Sequence, residues 1–450
     1  MFFRLYLGIN WENWCKLSRN IYHYGKDIGI HRDRRLQASL VVILIFALVS
    51  LLHLVPELQW LLVGLTLVLT VQMFRMLMTK PANPVMENDT YLPPVSIVVP
   101  AKNESVVLED LVHSLFNVDY PSDRLDIWIV DDGSIDDTPA ILSNLQTQFP
   151  NLQVFSRQLT NGKSAALNAV FPCTKGEILL ICDADAQLPV NILRRTIPLF
   201  KNKSIGAVQV RKSIFNLHTN FLTRCQQMEM ICDSFLQSHR IAVGGMSELR
   251  GNGMLLRREL IEKCQGWNED TVTDDLDFCF KLYLVGSEIE FVTSLVIQEE
   301  GVITWKQLWH QHCRWAEGGY QRFLDYFPQI LTLGWKKEID LLLFFLLQFL
   351  LPIALIPDLL WSIFYSDRPV LWPLQTILSL ILTSAFIAGL YQYQNLRGLS
   401  LLWATIQGSL YMVHWIPVMM VVTLRMCVQK QRSRWIKTQH RGKNNYYNFK

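Results

Sequence analysis

Two apolar runs, Ala38 to Val55 and Trp60 to Leu77, each hold about 18 residues with almost no charge, near the length needed to cross the hydrocarbon core of a bilayer. Only Pro56-Glu57-Leu58-Gln59 separates them. Three more apolar runs follow much later: Ile339–Trp361, Val370–Tyr391 and a longer one, Leu399–Val428. A chain patterned this way must fold as a polar middle held between two membrane ends. Composition agrees, since 50% of the residues are hydrophobic and 18% charged, whereas soluble domains run near one quarter charged. An aromatic content of 11% excludes a disordered chain. The net charge of +3 is too small to suggest nucleic acid as a partner, and none is expected.

Where the charges lie sets the orientation. Arg4, Lys16, Arg19, Lys26, Arg32, Arg34 and Arg35 precede the first run, so the positive-inside bias puts the N-terminus in the cytosol, the short loop outside and residue 80 back inside. The first apolar run starts too late and is too long for a signal peptide. No acidic residue follows Asp367, and Lys430, Arg432, Arg434, Lys437, Arg441, Lys443 and Lys450 crowd the tail. Five crossings would put that tail outside, while its charge says inside. One segment is therefore interfacial, re-entrant or doubled, with Leu401–Trp415 the foremost candidate, and the count stays open. The expected order is a basic segment (1–37), two transmembrane helices (38–78), a cytosolic domain (85–303), an interfacial amphipathic helix (304–330), about three membrane segments (339–428) and a basic tail (429–450). The nine cysteines include no CxxC pair, which argues against zinc-knuckle and thioredoxin-like sites.

Within the middle, short apolar stretches at Val95–Val99, Asp126–Val130, Leu152–Phe155, Glu177–Cys182 and Ala207–Val210 alternate with helical patterns. That alternation predicts an α/β domain with a mostly parallel sheet and helices on both faces. Ligands of such sheets bind beyond the carboxyl ends of the strands, and the polar clusters fall there. Pro100-Ala101-Lys102-Asn103-Glu104 ends the first strand and Asp131-Asp132-Gly133-Ser134 the second. Each alone has the chemistry of an ordinary turn. Side by side they suit a nucleotide pocket, where a carboxylate accepts the N3–H of a pyrimidine.

Asn161-Gly162-Lys163-Ser164 lacks the glycine spacing of a P-loop. A lysine on a glycine turn opening a helix still suits a diphosphate, although the same residues make a plain helix cap. In Asp183-Ala184-Asp185, extended residues i and i+2 face the same way, so both carboxylates can meet one hard cation, Mg²⁺ or Mn²⁺, shared with phosphates. Thr273-Asp274-Asp275 opens a helix; acids there satisfy the helix dipole, or one serves as general base. Gln311, Arg314 and Trp315 lie at i, i+3 and i+4 of a helical pattern from Trp305 to Phe327, opposite an apolar stripe of Trp309, Cys313, Ala316, Tyr320, Phe323, Leu324 and Phe327. That stripe is expected to sit in the lipid boundary, with Gly318-Gly319 a possible break.

Taken in order, these clusters resemble a membrane-bound family 2 glycosyltransferase with the GT-A nucleotide-sugar fold, over roughly residues 92 to 330 and the flanking membrane helices. The resemblance implies that Asp132 contacts uracil, that Lys163 approaches the diphosphate and that Asp183 and Asp185 bind the metal and the nucleotide-sugar. It further implies that Pro100, Ala101, Asn103, Glu104, Gln311, Arg314 and Trp315 line the donor and acceptor site. The family's Thr-Glu-Asp motif reads Thr273-Asp274-Asp275 here, so Asp275 matches the catalytic base by position while Asp274 replaces the Glu. Arg314-Trp315-Ala316-Glu317-Gly318-Gly319-Tyr320-Gln321-Arg322 is similar to the branch that glucosylates diacylglycerol from UDP-glucose. That branch implies a UDP-glucose donor, a diacylglycerol or other lipid acceptor, a metal-dependent inverting transfer, and a cytosolic catalytic domain on the plasma membrane, or on thylakoids in a cyanobacterium. A processive β-glycan synthase shares the signature, and an inactive nucleotide-sugar-binding member is a third class. Gly251-Asn252-Gly253 falls where the family lines its sugar and acceptor site, and an ordinary turn would also explain its glycines.

Overall fold

Short, nearly all-apolar strands such as Val95–Ala101 and Ile178–Ile181 have both faces covered, as buried parallel strands must. The structure is a computed structural model and describes residues 34–82, 90–158, 161–365, 368–429 and 440–442. Most of the basic N-terminal segment and most of the basic tail therefore lie outside the described residues. In chain order the helices are α1 (Arg34–Leu54), α2 (Gln59–Met78), α3 (Leu108–Phe116), α4 (Thr138–Gln148), α5 (Lys163–Val170), α6 (Ile192–Thr196), α7 (Phe221–Ala242), α8 (Arg258–Lys263), α9 (Asp274–Leu284) and α10 (Trp305–Ile330). They continue as α11 (Trp335–Tyr365), α12 (Trp372–Gln394), α13 (Gly398–Met412) and α14 (Trp415–Val428).

The strands are β1 (Val95–Ala101), β2 (Leu125–Asp131), β3 (Leu152–Ser156), β4 (Ile178–Ile181), β5 (Ile205–Ile214), β6 (Met254–Arg257) and β7 (Glu288–Glu299). They form one sheet in the order β3-β2-β1-β4-β6-β5-β7. β1 to β4 run parallel, as the alternation predicts, and β5 and β7 are parallel to each other. β6 is antiparallel to both β4 and β5, so β5 and β7 run in the same direction as β1 to β4, and the sheet is mostly parallel, as expected, with one antiparallel strand inside it. The sequence hides β6 because it is four residues long and runs directly into α8. It enters the sheet from the Gly251-Asn252-Gly253 turn. Gly253 N–H donates to Ile181 O, and the buried Gln209 amide donates to Asn252 O and accepts from Arg250 N–H. A one-sided reading of that segment as a turn therefore misses a strand at the centre of the sheet.

One face of the sheet packs on α3, α4 and residues 192–200. The other packs on α5, α9 and α10, and this second core runs without interruption into α11 and α14 and reaches Ala38 of α1. The α/β domain and the long apolar helices thus share one hydrophobic core. Ion pairs lock the junction: the buried pair of Arg240 with Asp340 of α11 at 2.8 Å, and the half-buried pairs of Arg34 of α1 with Asp325 of α10 at 2.5 Å and Arg425 of α14 with Glu317 of α10.

The amphipathic helix forms at the predicted place, and Gly318-Gly319 does not break it. Most of its stripe is covered by protein, with Trp309 half-buried and Phe327 exposed at the two ends. Cys313, Ala316, Tyr320, Phe323 and Leu324 are buried, with Tyr320 and Phe323 against Phe345 and Phe349 of α11. On the opposite face Arg322 is buried against Glu248 and Phe280 of α9, while Gln311, Arg314 and Trp315 stay half-buried and face an open cavity. A polar stripe on a helix shows which residues share a face; it does not show whether lipid or protein covers the other one.

Among the described residues, five helical stretches are long and apolar enough to cross a membrane: Arg34–Leu54, Pro56–Met78, Trp335–Tyr365, Trp372–Gln394 and Gly398–Val428. The last is broken at Val413–His414. Its first half, α13, packs on α7 and its second, α14, on α10 and α1. α11 carries a π-helical turn, Leu346–Leu350.

Candidate active site

The carboxyl ends of β1, β2 and β4 open into one cavity of about 1260 Å³. Pro100, Ala101, Glu104, Asp132, Lys163, Asp183, Asp185, Asp274, Asp275, Gln311, Arg314 and Trp315 all line it. Residues up to 215 positions apart in the chain meet because strand ends, the α9 N-terminus and one face of α10 converge there. Asn103 is the exception. Its side chain accepts from Ile135 N–H at 2.8 Å and its own N–H donates to Ser134 Oγ, so it braces the β2 turn from outside the cavity. Its left-handed backbone (φ 54°) fits that bracing role.

Asp132 sits between Arg157 Nη1 at 2.7 Å and the Gly162 N–H at 3.2 Å. Burial pushes its pKa up, against the pull of Arg157. Lys163, at the first turn of α5, reaches across to Asp183 Oδ1 at 2.6 Å and lies 4.0 Å from Asp274. Burial opposes its charge, but Asp183 and Asp274 outweigh burial and hold it protonated. Burial likewise opposes ionisation of Asp183, and there Lys163, Lys212 and Arg314 prevail, so its pKa falls. Asp185 is buried, accepts from Glu300 N–H at 2.8 Å, and has its pKa raised by that burial.

At the start of α9, burial pushes Asp274 up to about 6, and its Oδ2 has no hydrogen-bond partner. Asp275 Oδ1 accepts from Leu276 N–H at 2.8 Å, while its Oδ2 faces Gly251, where a Cβ would stand 3.2 Å away. Gly251 has φ 76°, so the turn needs both its left-handed backbone and its missing side chain. On α10, Trp315 stacks on His312 at 4.9 Å, and His312 stacks in turn on Trp415 of α14 at 4.5 Å. Lys212 Nζ lies 5.8 Å from the centre of the Trp315 ring.

Residues 93–318 match the model of the glycosyltransferase-like family 2. Across 91% of this chain and 90% of its own length, the β-monoglucosyldiacylglycerol synthase of Trichormus variabilis is 43% identical. The chain belongs to glycosyltransferase family 2. The synthase of the same name from Synechocystis is 42% identical over 94% of this chain and 90% of its own. Among solved structures, a mannosyltransferase from Pyrobaculum calidifontis superposes with a TM-score of 0.56 at 21% identity, covering 85% of this chain and 99% of that one. That likeness carries the GT-A fold of this glycosyltransferase.

Several residues at the site escape the sequence motifs. Lys212 of β5 pairs with Glu299 of β7 at 3.0 Å and faces Asp183. The tail returns to the cavity: His440 Nδ1 lies 2.9 Å from Glu104 Oε2 and its Nε2 3.6 Å from Asp185, while Arg441 and Gly442 N–H groups donate to Glu300. Asp185 and Glu104 hold His440 protonated against the effect of burial. Glu229 of α7 accepts from Tyr411 and Trp415 and is pushed up to about 7 by burial. Glu248 is surrounded by Arg322, Arg250 and Arg240, which overcome burial and hold it down at about 2. None of these residues stands in a local pattern; each is brought in by strand pairing or helix packing.

The donor set at the end of β4 suits a divalent cation of the Mg²⁺ or Mn²⁺ type. Asp183 and Asp185 are hard oxygen ligands, and the basic groups around them show how much negative charge is gathered there. Among the described residues no three His, Cys, Asp or Glu side chains form a closed metal cage.

Proposed function

We propose that this glycosyltransferase moves glucose from UDP-glucose to the 3-hydroxyl of 1,2-diacylglycerol, inverting the anomeric centre to give β-monoglucosyldiacylglycerol. The observation that carries the reading is the 42–43% identity to synthases of that name along about nine tenths of both chains. The geometry supports it: one cavity joins the nucleotide-side residues to Asp275.

Asp132 receives the uracil edge, and Lys163 and Arg314 receive the diphosphate. Asp183 and Asp185 would hold a divalent cation, which when bound supplies Lewis-acid stabilisation to the departing diphosphate. Asp275 takes the proton of the acceptor hydroxyl as that oxygen bonds to the anomeric carbon. The bond from that carbon to the diphosphate oxygen breaks, and its electron pair leaves with UDP. Lys163 and Arg314 face the charge that develops there. Trp315, held between Lys212 and His312, offers a rigid ring to the sugar or the acceptor. The catalytic domain faces the cytosol, where UDP-sugars are made.

UDP release and product analysis in bilayers containing diacylglycerol test the reading. One discrete glucosylated lipid supports it. A ladder or a high polymer means a processive glycan synthase instead, and absence of UDP release with any acceptor means a binding role. EDTA is expected to abolish turnover, with Mg²⁺ or Mn²⁺ restoring it; full activity in EDTA would remove Asp183 and Asp185 from the chemistry.

A further inference from the structure

The cavity does not end at the carboxylates. A site for a small ligand typically occupies about 300–1,000 Å³, and this cavity of about 1260 Å³ continues past Trp315 between membrane helices. There its walls change character. Met73 of α2, Leu343 and Leu347 of α11, Leu382 of α12 and Ile416 of α14 replace the charged groups. Leu382 and Ile416 are 40% and 37% exposed on the outer surface of apolar helices, so this arm reaches the surface that faces hydrocarbon.

Two features bind the arm to the chemistry. The first is distance. An added Cβ on Gly318 would overlap Thr273, the residue before Asp274 and Asp275, and one on Gly319 would lie 3.1 Å from Phe349 in the π turn of α11. The catalytic turn and the π turn are thus pressed onto α10 at adjacent residues. The second is a polar anomaly. Gln348, in that π turn, lines the arm, and its Oε1 is buried without a hydrogen-bond partner. An unmet buried amide is costly to keep without a partner, and π turns often mark functional positions in helices.

We propose that the apolar arm holds the acyl chains of the lipid acceptor, that Gln348 hydrogen-bonds its glycerol-ester region, and that the acceptor enters sideways from the bilayer. The occupant follows from the walls: an apolar body in the arm and a hydroxyl at Asp275 describe a neutral diacyl lipid. The assignment rests on the function proposed above, which names the same acceptor class.

The test uses the full chain in nanodiscs with diacylglycerol carrying a diazirine on one acyl chain. Labelled peptides are expected from Trp335–Tyr365, competed away by unmodified diacylglycerol. Leu347→Trp, which narrows the arm, is expected to lower kcat/KM for dioleoylglycerol about tenfold or more, to lower it much less for dioctanoylglycerol, and to leave the UDP affinity measured by calorimetry unchanged. Gln348→Leu is expected to raise KM for diacylglycerol about three- to tenfold with kcat retained. Labelling confined to other helices, together with an unchanged chain-length profile in Leu347→Trp, overturns the proposal. If the wild-type chain makes no glucolipid but the arm is still labelled competitively, the proposed reaction falls and the lipid site stands. Crosslinking on the wild-type chain needs no variant to fold.

Discussion

Asp274 and Asp275 are neighbours in sequence with opposite surroundings. Asp274 is buried beside Lys163 with its pKa raised to about 6, while Asp275 turns its Oδ2 toward the Gly251 turn. A general base contributes about 10²–10⁴-fold, so Asp275→Asn is expected to lose at least 10²-fold in kcat while UDP affinity, read by calorimetry, is kept. If Asp275→Asn turned over normally and Asp274→Asn did not, the base would be Asp274. Glu229 allows a pH prediction. Burial raises its pKa from 4.5 to about 7, so the folded state binds its proton more tightly than the unfolded state does. The stability this adds is complete below pH 4.5 and is lost as pH rises through 7. Glu229→Gln removes the dependence. Its melting temperature relative to wild type should therefore rise between pH 5 and pH 8, by an amount corresponding to roughly 2–3 kcal/mol. A flat difference across that range would contradict the burial argument. Thr273-Asp274-Asp275 was legible because acids opening a helix form a local pattern. Glu229 and Lys212 were not, since their partners lie on elements far away in sequence.

Helix α10 shows packing overruling propensity. Replacing a helical glycine by alanine is worth about 1 kcal/mol of stabilisation on propensity alone. At Gly318 the new Cβ would overlap Thr273, and overpacking costs typically 1–3 kcal/mol. Gly318→Ala is expected to destabilise and to displace the catalytic turn, lowering kcat, whereas Gly319→Ala, 3.1 Å from a ring edge that can yield, should be near neutral in melting temperature. Equal effects at the two positions would refute the packing account. The junction with α11 depends on charge. Asp340 accepts from Arg240 and from Met246 N–H, so Asp340→Asn leaves the buried Arg240 guanidinium with only Glu248, 3.9 Å away and shared with two other arginines, to offset its charge. A loss of about 3–5 kcal/mol is expected, largely recovered in the double variant with Arg240→Met; no recovery would mean that the backbone bond to Met246 matters more. The α10 periodicity identified which residues share a face, including Gln311, Arg314 and Trp315. It could not show that α9, α11 and α14 cover most of the apolar stripe, because burial is a property of neighbours.

For the whole molecule, the fifth apolar stretch decides the topology. α13 lies on α7, α14 lies on α10 and α1, and residues 440–442 rest in the catalytic cavity. We read α1, α2, α11 and α12 as the crossings, which leaves the tail on the catalytic side and agrees with its basic charge. A protease-sensitive tag after Lys450 should be cleaved in inverted vesicles together with the catalytic domain, while a tag in the Pro56–Leu58 turn should be protected. Opposite accessibility of the tail would restore five crossings. Sequence alone determined the division into apolar ends and an α/β middle, five of the six parallel strands, and the ordered carboxylates, because hydrophobic period, strand length and turn chemistry are encoded within a few residues of each other. Tertiary structure decided the antiparallel β6, the burial of α10, the return of His440 to Asp185, and the apolar arm beside the π turn. Each of those depends on which distant surfaces meet, and that is settled only when the sheet and the membrane helices close on one shared core.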